Sequence, residues 1–169
     1  VECQQYMDGG FPYGAFFSSL SRKFGEREPL TVYRKFYRDK QFPDFYTDGD
    51  LSGEFAVDHF LPWSRLPVNR FWNLVPTTPT INSKKSDRLI QLTDEFRDQR
   101  LHNHMDRCLR TNAPLVEHDL KATYQKYFKR EVPDEHGRKV QELRELVLTL
   151  YDNLDRTTVE DKIAPEQLI

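Results

Sequence analysis

The chain is short of several features that would fix its class at once. Two cysteines among 169 residues, Cys3 and Cys108, give no disulfide framework and suit a reducing, cytoplasmic setting. No apolar run approaches the roughly 20 residues needed to cross a bilayer, so no membrane partner is expected. Positions 1–20 carry polar residues, two adjacent glycines and no continuous apolar core, which argues against a signal peptide there. Residue 1 is Val rather than Met, in keeping with a processed product or a piece of something longer. Internal repeats and low-complexity tracts are missing. So is strong charge: the net is −2, divided between residues 1–130 (20 basic against 17 acidic) and residues 131–169 (5 against 10). A basic face for nucleic acid must therefore come from local clusters in the first part.

What is present suffices for a core. About 37% of residues are hydrophobic and 13% aromatic, which excludes a disordered chain and fits one domain, or one domain with an appended helical segment. Residues 1–20 read as a turn followed by a short buried segment. Leu20 to Lys40 is basic, and Pro29 to Gln41 suits a helix with Val32 and Phe36 on one face and Tyr33 and Tyr37 alongside. Phe42 to Gly53 is rich in turn formers. Phe55 to Asp58 reads as a strand, Phe60 to Arg70 as a loop interrupted by Pro62 and Pro67, and Phe71 to Val75 as a second strand. Thr77 or Thr78 can cap a helix beginning at Pro79. Further on, Leu92, Phe96, Leu101, Met105 and Leu109 recur at roughly helical spacing. A second helix carries Leu115, Val116, Leu120, Tyr124 and Tyr127, and after a polar break a third carries Val140, Leu143, Val147, Leu150 and Leu154. This last stripe is two heptads long, so it is expected to pack on its own domain rather than zip to a partner.

The chemistry is concentrated between Phe55 and Leu89. An apolar run ends at Asp58-His59; Asn73 follows fourteen residues after the histidine, Asn82 nine later, and Lys85 one helical turn beyond. Phosphodiester hydrolysis needs an activated water, charge neutralisation at the phosphoryl oxygens and help for the leaving oxygen. A histidine can take the water's proton. Asp58 and Asn82 offer one charged and one neutral oxygen, a set suited to a magnesium or manganese ion. Asn73 can tie down the loop carrying His59. Lys85 shares a helix face with Asn82 and could meet a phosphate oxygen, with Lys84 beside it. Taken singly these residues have ordinary readings: a structural Asp-His pair, amides in turns or caps, lysines on a solvated helix face. Arg34, Lys35 and Arg38 likewise read either as phosphate contacts or as the solvated side of an amphipathic helix. His102, His104 and Cys108 lack a fourth ligand and read as ordinary helix residues.

The joint pattern Asp58-His59, Pro62, Ser64, Asn73, Asn82 and Lys85-Ser86-Asp87 resembles the HNH, or ββα-metal, nuclease family. Its members include the HNH domain of the RNA-guided CRISPR effector nuclease and small standalone bacterial HNH endonucleases. The resemblance covers roughly residues 40–90. It implies Asp58 and Asn82 as metal ligands for one Mg²⁺ or Mn²⁺, His59 as general base and Asn73 as the residue orienting the loop. Many standalone members surround the motif with a structural zinc knuckle of two CxxC pairs. Here the corresponding positions are Asp44, Thr47, Thr78 and Ile81, so no structural zinc is expected, and Phe42, Phe45, Tyr46, Trp63, Phe71 and Trp72 are expected to support the motif instead.

The expected fold is α+β: a ββα-metal core with a two-stranded hairpin and helix, embedded in a mostly helical domain. Residues 1–41 form an aromatic and basic helical segment, 42–90 the nuclease core and 91–169 a C-terminal helical segment. The expected activity is metal-dependent DNA hydrolysis, one strand per site, in bacterial defence or restriction against phage or foreign DNA, with other subunits of such a complex as possible partners. The rivals are a nucleic-acid-binding or scaffold subunit with a vestigial motif, and an HNH nuclease that cuts RNA.

Overall fold

The computed structural model describes residues 30–156 and 162–169. The expected turn and buried segment in residues 1–20, and Arg22, Lys23 and Arg27, lie outside them. Helix α1 (Thr31–Asp39) buries Tyr33, Phe36 and Tyr37, a three-residue stripe at i, i+3 and i+4. Val32 was expected beside Phe36 but is 59% exposed. The two tyrosines displace it because each carries an apolar ring with a hydroxyl that finds a buried partner: Tyr37 donates to the Leu74 carbonyl at 2.5 Å, and Tyr33 to the Asp119 carboxylate at 2.9 Å.

Strands β1 (Ala56–His59) and β2 (Leu74–Thr77) pair antiparallel, with Ala56 opposite Thr77 and His59 opposite Leu74. The second strand starts three residues later than the Phe71 to Val75 expected from its apolar run. The Phe71 amide is spent on Asp119 Oδ2 at 2.9 Å, and the Asn73 and Leu74 amides both turn back to the Arg70 carbonyl, so Phe71–Asn73 forms a turn. Pro76 is tolerated inside β2 because a two-stranded sheet has only edges. Helix α2 (Pro79–Lys85) follows directly; the Thr78 side chain caps it by accepting from the Ile81 amide, Pro79 takes the first position, and Ser86 ends it at a positive φ of 51°.

Strand β3 (Leu89–Ile90) pairs in parallel with β4 (Lys162–Ile163). Between them lie α3 (Leu101–Arg110), α4 (Pro114–Thr123) and α5 (His136–Arg156). A wide π-helical turn, Glu95–Arg100, leads into α3, and another, Tyr124–Phe128, continues α4. The first accounts for the five-residue step from Phe96 to Leu101 in the apolar pattern: an i to i+5 turn keeps both side chains on the buried side. The stripe of α5 is buried within the chain, and α5 packs along α3. Buried residues from α1, the hairpin, α2 and α3 to α5 join in one core. The architecture is therefore mixed α+β, and among the described residues no helix is long and apolar enough to cross a membrane.

His104 of α3 sits in that core against the rings of Tyr37, Phe42 and Phe45, and its Nε2 donates to the Phe71 carbonyl at 2.9 Å. His102 is exposed, and no group of three or more acidic, histidine or cysteine side chains suited to a metal ion occurs among the described residues. Burial depresses the His104 pKa to about 4. Its folded-state pKa is thus below the unfolded value, so the unfolded chain takes the proton first. Stability is expected to fall as pH drops from about 6.5 to 4, by about 3 kcal/mol from this group. His104→Gln keeps a donor and removes the titration. Urea unfolding at pH 7 and pH 4.5 should show a smaller acid loss in that variant than in the parent.

Candidate active site

Asp58 and His59 close β1, and the loop of residues 60–73 returns the chain to β2. Asn82 lies on the first turn of α2, which begins immediately after β2. Strand, loop and helix together bring Asp58, His59 and Asn82 to one cleft of about 290 Å³, where Trp63, Ser83 and Asp87 also line the wall. Three of the expected site residues therefore share a cleft. The cleft is open and more polar than apolar.

Asp58 is 5% exposed, and its carboxylate is held from behind. Tyr46 donates to Oδ2 at 2.6 Å, and the Lys85 ammonium lies 3.1 Å from the same oxygen. The Tyr46 phenol is pushed well above its ordinary pKa, first by burial and then by the nearby carboxylate, so it remains a donor. Oδ1 accepts no hydrogen bond from the described residues. One carboxylate oxygen is thus fixed by the protein and the other is available to a hard cation, with the Asn82 amide in the same cleft. The donor set fits a divalent ion with oxygen preference.

Lys85 was expected to meet a phosphate, and the structure corrects this. Its side chain is fully buried, and the ammonium also donates to the His59 carbonyl at 2.8 Å. A cation between a carboxylate and a main-chain carbonyl under the hairpin has no path to a ligand in the cleft. The reason is geometric: α2 has seven residues, and the face carrying Ile81 and Lys85 is the one pressed on the hairpin. Lys84 points the other way and donates to the Ile169 carbonyl at 2.7 Å on the surface.

Asn73 is buried behind the cleft, immediately before β2. Its Oδ1 accepts from the Leu61 amide at 2.8 Å, and its Nδ2 donates to the carbonyls of Val68 at 3.1 Å and Leu61 at 3.3 Å. One amide thus ties together the two ends of the loop that follows His59. Within that loop Asn69 Oδ1 lies 2.8 Å from His59 Nε2, and the Trp63 ring lies 5.0 Å from the imidazole. The basic residues of α1 stand apart: Arg34, Lys35 and Arg38 are exposed, Lys35 pairs with Asp39 at 2.7 Å, and Arg38 lies over the Phe55 ring. Leu30, just ahead of α1, lines the cleft, so this helix adjoins the site.

Asp44 is a further residue of consequence: the sequence placed it at a knuckle position and in a turn, but gave no sign of what its carboxylate does. It is fully buried, and all four hydrogen bonds of its carboxylate come from backbone or hydroxyl donors: Oδ1 accepts from the amides of Tyr46 and Thr47, and Oδ2 from the Thr77 hydroxyl and the Thr78 amide. These donors belong to the two segments on which the zinc-knuckle positions fall. A carboxylate, not only the aromatic residues, joins them. Phe42, Phe45, Phe71 and Trp72 are buried around the hairpin, while Trp63 is only half-buried.

Residues 44–90 match the family model described as HNH endonuclease. The chain carries an HNH-family domain. The family match begins at Asp44 and ends with β3, so it takes in the hairpin, the loop and α2. An HNH domain implies nuclease activity on nucleic acid, and HNH nucleases depend on a metal ion. No curated protein and no solved structure matches the chain.

Two stability measurements test this reading of the site's supports. Asp44→Asn turns one acceptor into a donor facing donors, leaving two buried groups unsatisfied at about 1–3 kcal/mol each; urea unfolding should register a loss of about 2–5 kcal/mol. Lys85→Met strands a buried carboxylate, and the same assay should show a loss of about 3–5 kcal/mol. A loss under 1 kcal/mol for either variant would contradict the assigned role.

Proposed function

We propose that the chain is a metal-dependent endonuclease that hydrolyses DNA phosphodiesters, one strand per site, through a ββα-metal core. The observation that carries this reading is the convergence of Asp58, His59 and Asn82 on one polar cleft. In this proposal residues 42–90 are the nuclease core, flanked by the aromatic and basic segment 1–41 and the helical segment 91–169. The family resemblance supports a setting in defence against phage or foreign DNA, with other subunits of such a complex as candidate partners.

Asp58 and the Asn82 amide oxygen would hold the ion, Mg²⁺ or Mn²⁺, which when bound neutralises charge on the phosphate and the departing oxygen. His59 takes the proton of the attacking water, and its position against the strand end lets it act without leaving the cleft wall. Asn73 holds the loop that sets the angle of the imidazole. Tyr46 and Lys85 keep Asp58 from rotating. Arg34, Lys35, Arg38 and Lys84 supply exposed charge for the DNA backbone. Their intramolecular partners do not prevent this, since exposed pairs contribute little and exchange readily.

Plasmid nicking by the purified chain tests the proposal. Supercoiled DNA should be converted to the open circle with magnesium or manganese, and chelation should abolish the conversion. His59→Ala should retain the fold, checked by circular dichroism, and lose about 10²- to 10⁴-fold in rate. Nicking by that variant at the parental rate would overturn the assignment of His59. Preferential cleavage of an RNA competitor would move the substrate class to RNA.

A further inference from the structure

We propose that Asn69 is the positioning residue of His59, fixing the imidazole with its proton on Nε2 so that Nδ1 carries the lone pair that receives the water's proton. This rests on the reading of His59 as the general base. The contact is short, 2.8 Å from His59 Nε2 to Asn69 Oδ1. An amide oxygen accepts and cannot donate, so the nitrogen facing it must bear the hydrogen. A neutral imidazole has one N–H, and placing it on Nε2 leaves Nδ1 as the basic atom.

Asn69 is itself held from both sides, which separates it from a mobile loop amide. Its own carbonyl accepts from Arg70 Nη1 at 2.8 Å, and it lies 3.0 Å from the Tyr33 hydroxyl, whose single hydrogen it shares with Asp119 Oδ2. The carbonyl of the residue before it, Val68, accepts from Asn73 Nδ2 at 3.1 Å. Tyr33 is anchored in turn by Asp119 Oδ2 at 2.9 Å, and the same oxygen accepts from the Phe71 amide at 2.9 Å. Burial and the Asp119 carboxylate keep the Tyr33 phenol protonated, so it acts as a donor throughout. Asn69 is thus placed by α1 and α4 as well as by its own loop. A ring held in one tautomer and one orientation spares the reaction the cost of selecting them at each turnover.

The experiment reads the tautomer directly, by long-range ¹H–¹⁵N correlation of histidine side chains in the whole chain at about pH 8, where an ordinary imidazole is neutral. The His59 signals are those lost in His59→Ala. The expected result is a protonated Nε2 and an unprotonated Nδ1 in the parent. Asn69→Asp keeps an acceptor and should keep this tautomer. Asn69→Leu removes the acceptor at similar volume, and its signals should report a tautomer mixture. Nicking by Asn69→Leu should fall about 10- to 100-fold in kcat with KM for DNA within about twofold, and Asn69→Asp should recover most of the rate. Thermal unfolding of both variants checks the fold. A proton on Nδ1 in the parent, an unchanged tautomer in Asn69→Leu, or Asn69→Asp as slow as Asn69→Leu would overturn the proposal. If the parent chain cuts no nucleic acid, the reading of His59 as a base fails, while the tautomer measurement still decides what Asn69 does to the ring.

Discussion

The buried ion pair between Lys85 and Asp58 is the interaction on which the geometry of the site depends. It joins the last residue of a seven-residue helix to the strand that carries both acid and imidazole, and the same ammonium grips the His59 carbonyl. Asn82 stands one turn earlier on that helix, so its distance from Asp58 is set by where Lys85 is moored. A buried pair of this kind adds little net stability, because desolvation cancels most of the attraction. Its value is positional. A free carboxylate could rotate about its side-chain bonds; this one has an oxygen pinned between a cation and a phenol, which in the proposed metal site leaves the other to meet the ion.

A second carboxylate does comparable work at the opposite end of the hairpin. On the resemblance drawn from the sequence, Asp44 falls where members with a zinc knuckle have a cysteine, and the four hydrogen bonds its carboxylate accepts span the two segments that carry the knuckle positions. The exchange is chemically reasonable. A tetrahedral cation surrounded by thiolates and a carboxylate surrounded by N–H and O–H donors are opposite solutions to one problem, that of crosslinking two loops with a small polar centre excluded from water.

How much of this could be read in advance depends on the range of each interaction. The Asp-His pair, the asparagine spacings and the Thr78–Pro79 cap are local patterns, and the HNH-family segment was legible from them. The helices of the C-terminal part were visible in their periodicity, while the π-helical turn at Glu95–Arg100 was not, since a five-residue step still passes for roughly helical spacing. The start of β2 was not legible, because it is decided by Asp119, 48 residues beyond Phe71 in sequence. The burial of Lys85 was hidden for a different reason: two adjacent lysines look alike until the helix has a partner on one side. Tyr46 on Asp58 and Asn69 on His59 each bring together residues with no characteristic spacing, so they emerge only once the chain has closed.

Asp119 has a consequence for how portable the nuclease segment is. The stretch recognised as HNH ends at Ile90, yet the turn ahead of β2 is pinned by an acid on α4, and the tyrosine that holds the Asn69 carbonyl comes from α1. An excised 44–90 fragment would keep every residue of the motif and lose the outer struts that set its loop. The motif is thus not self-contained here. Its inheritance as a working unit requires that the flanking helices travel with it, and any chimera built on this scaffold must carry Tyr33 and Asp119 as part of the graft.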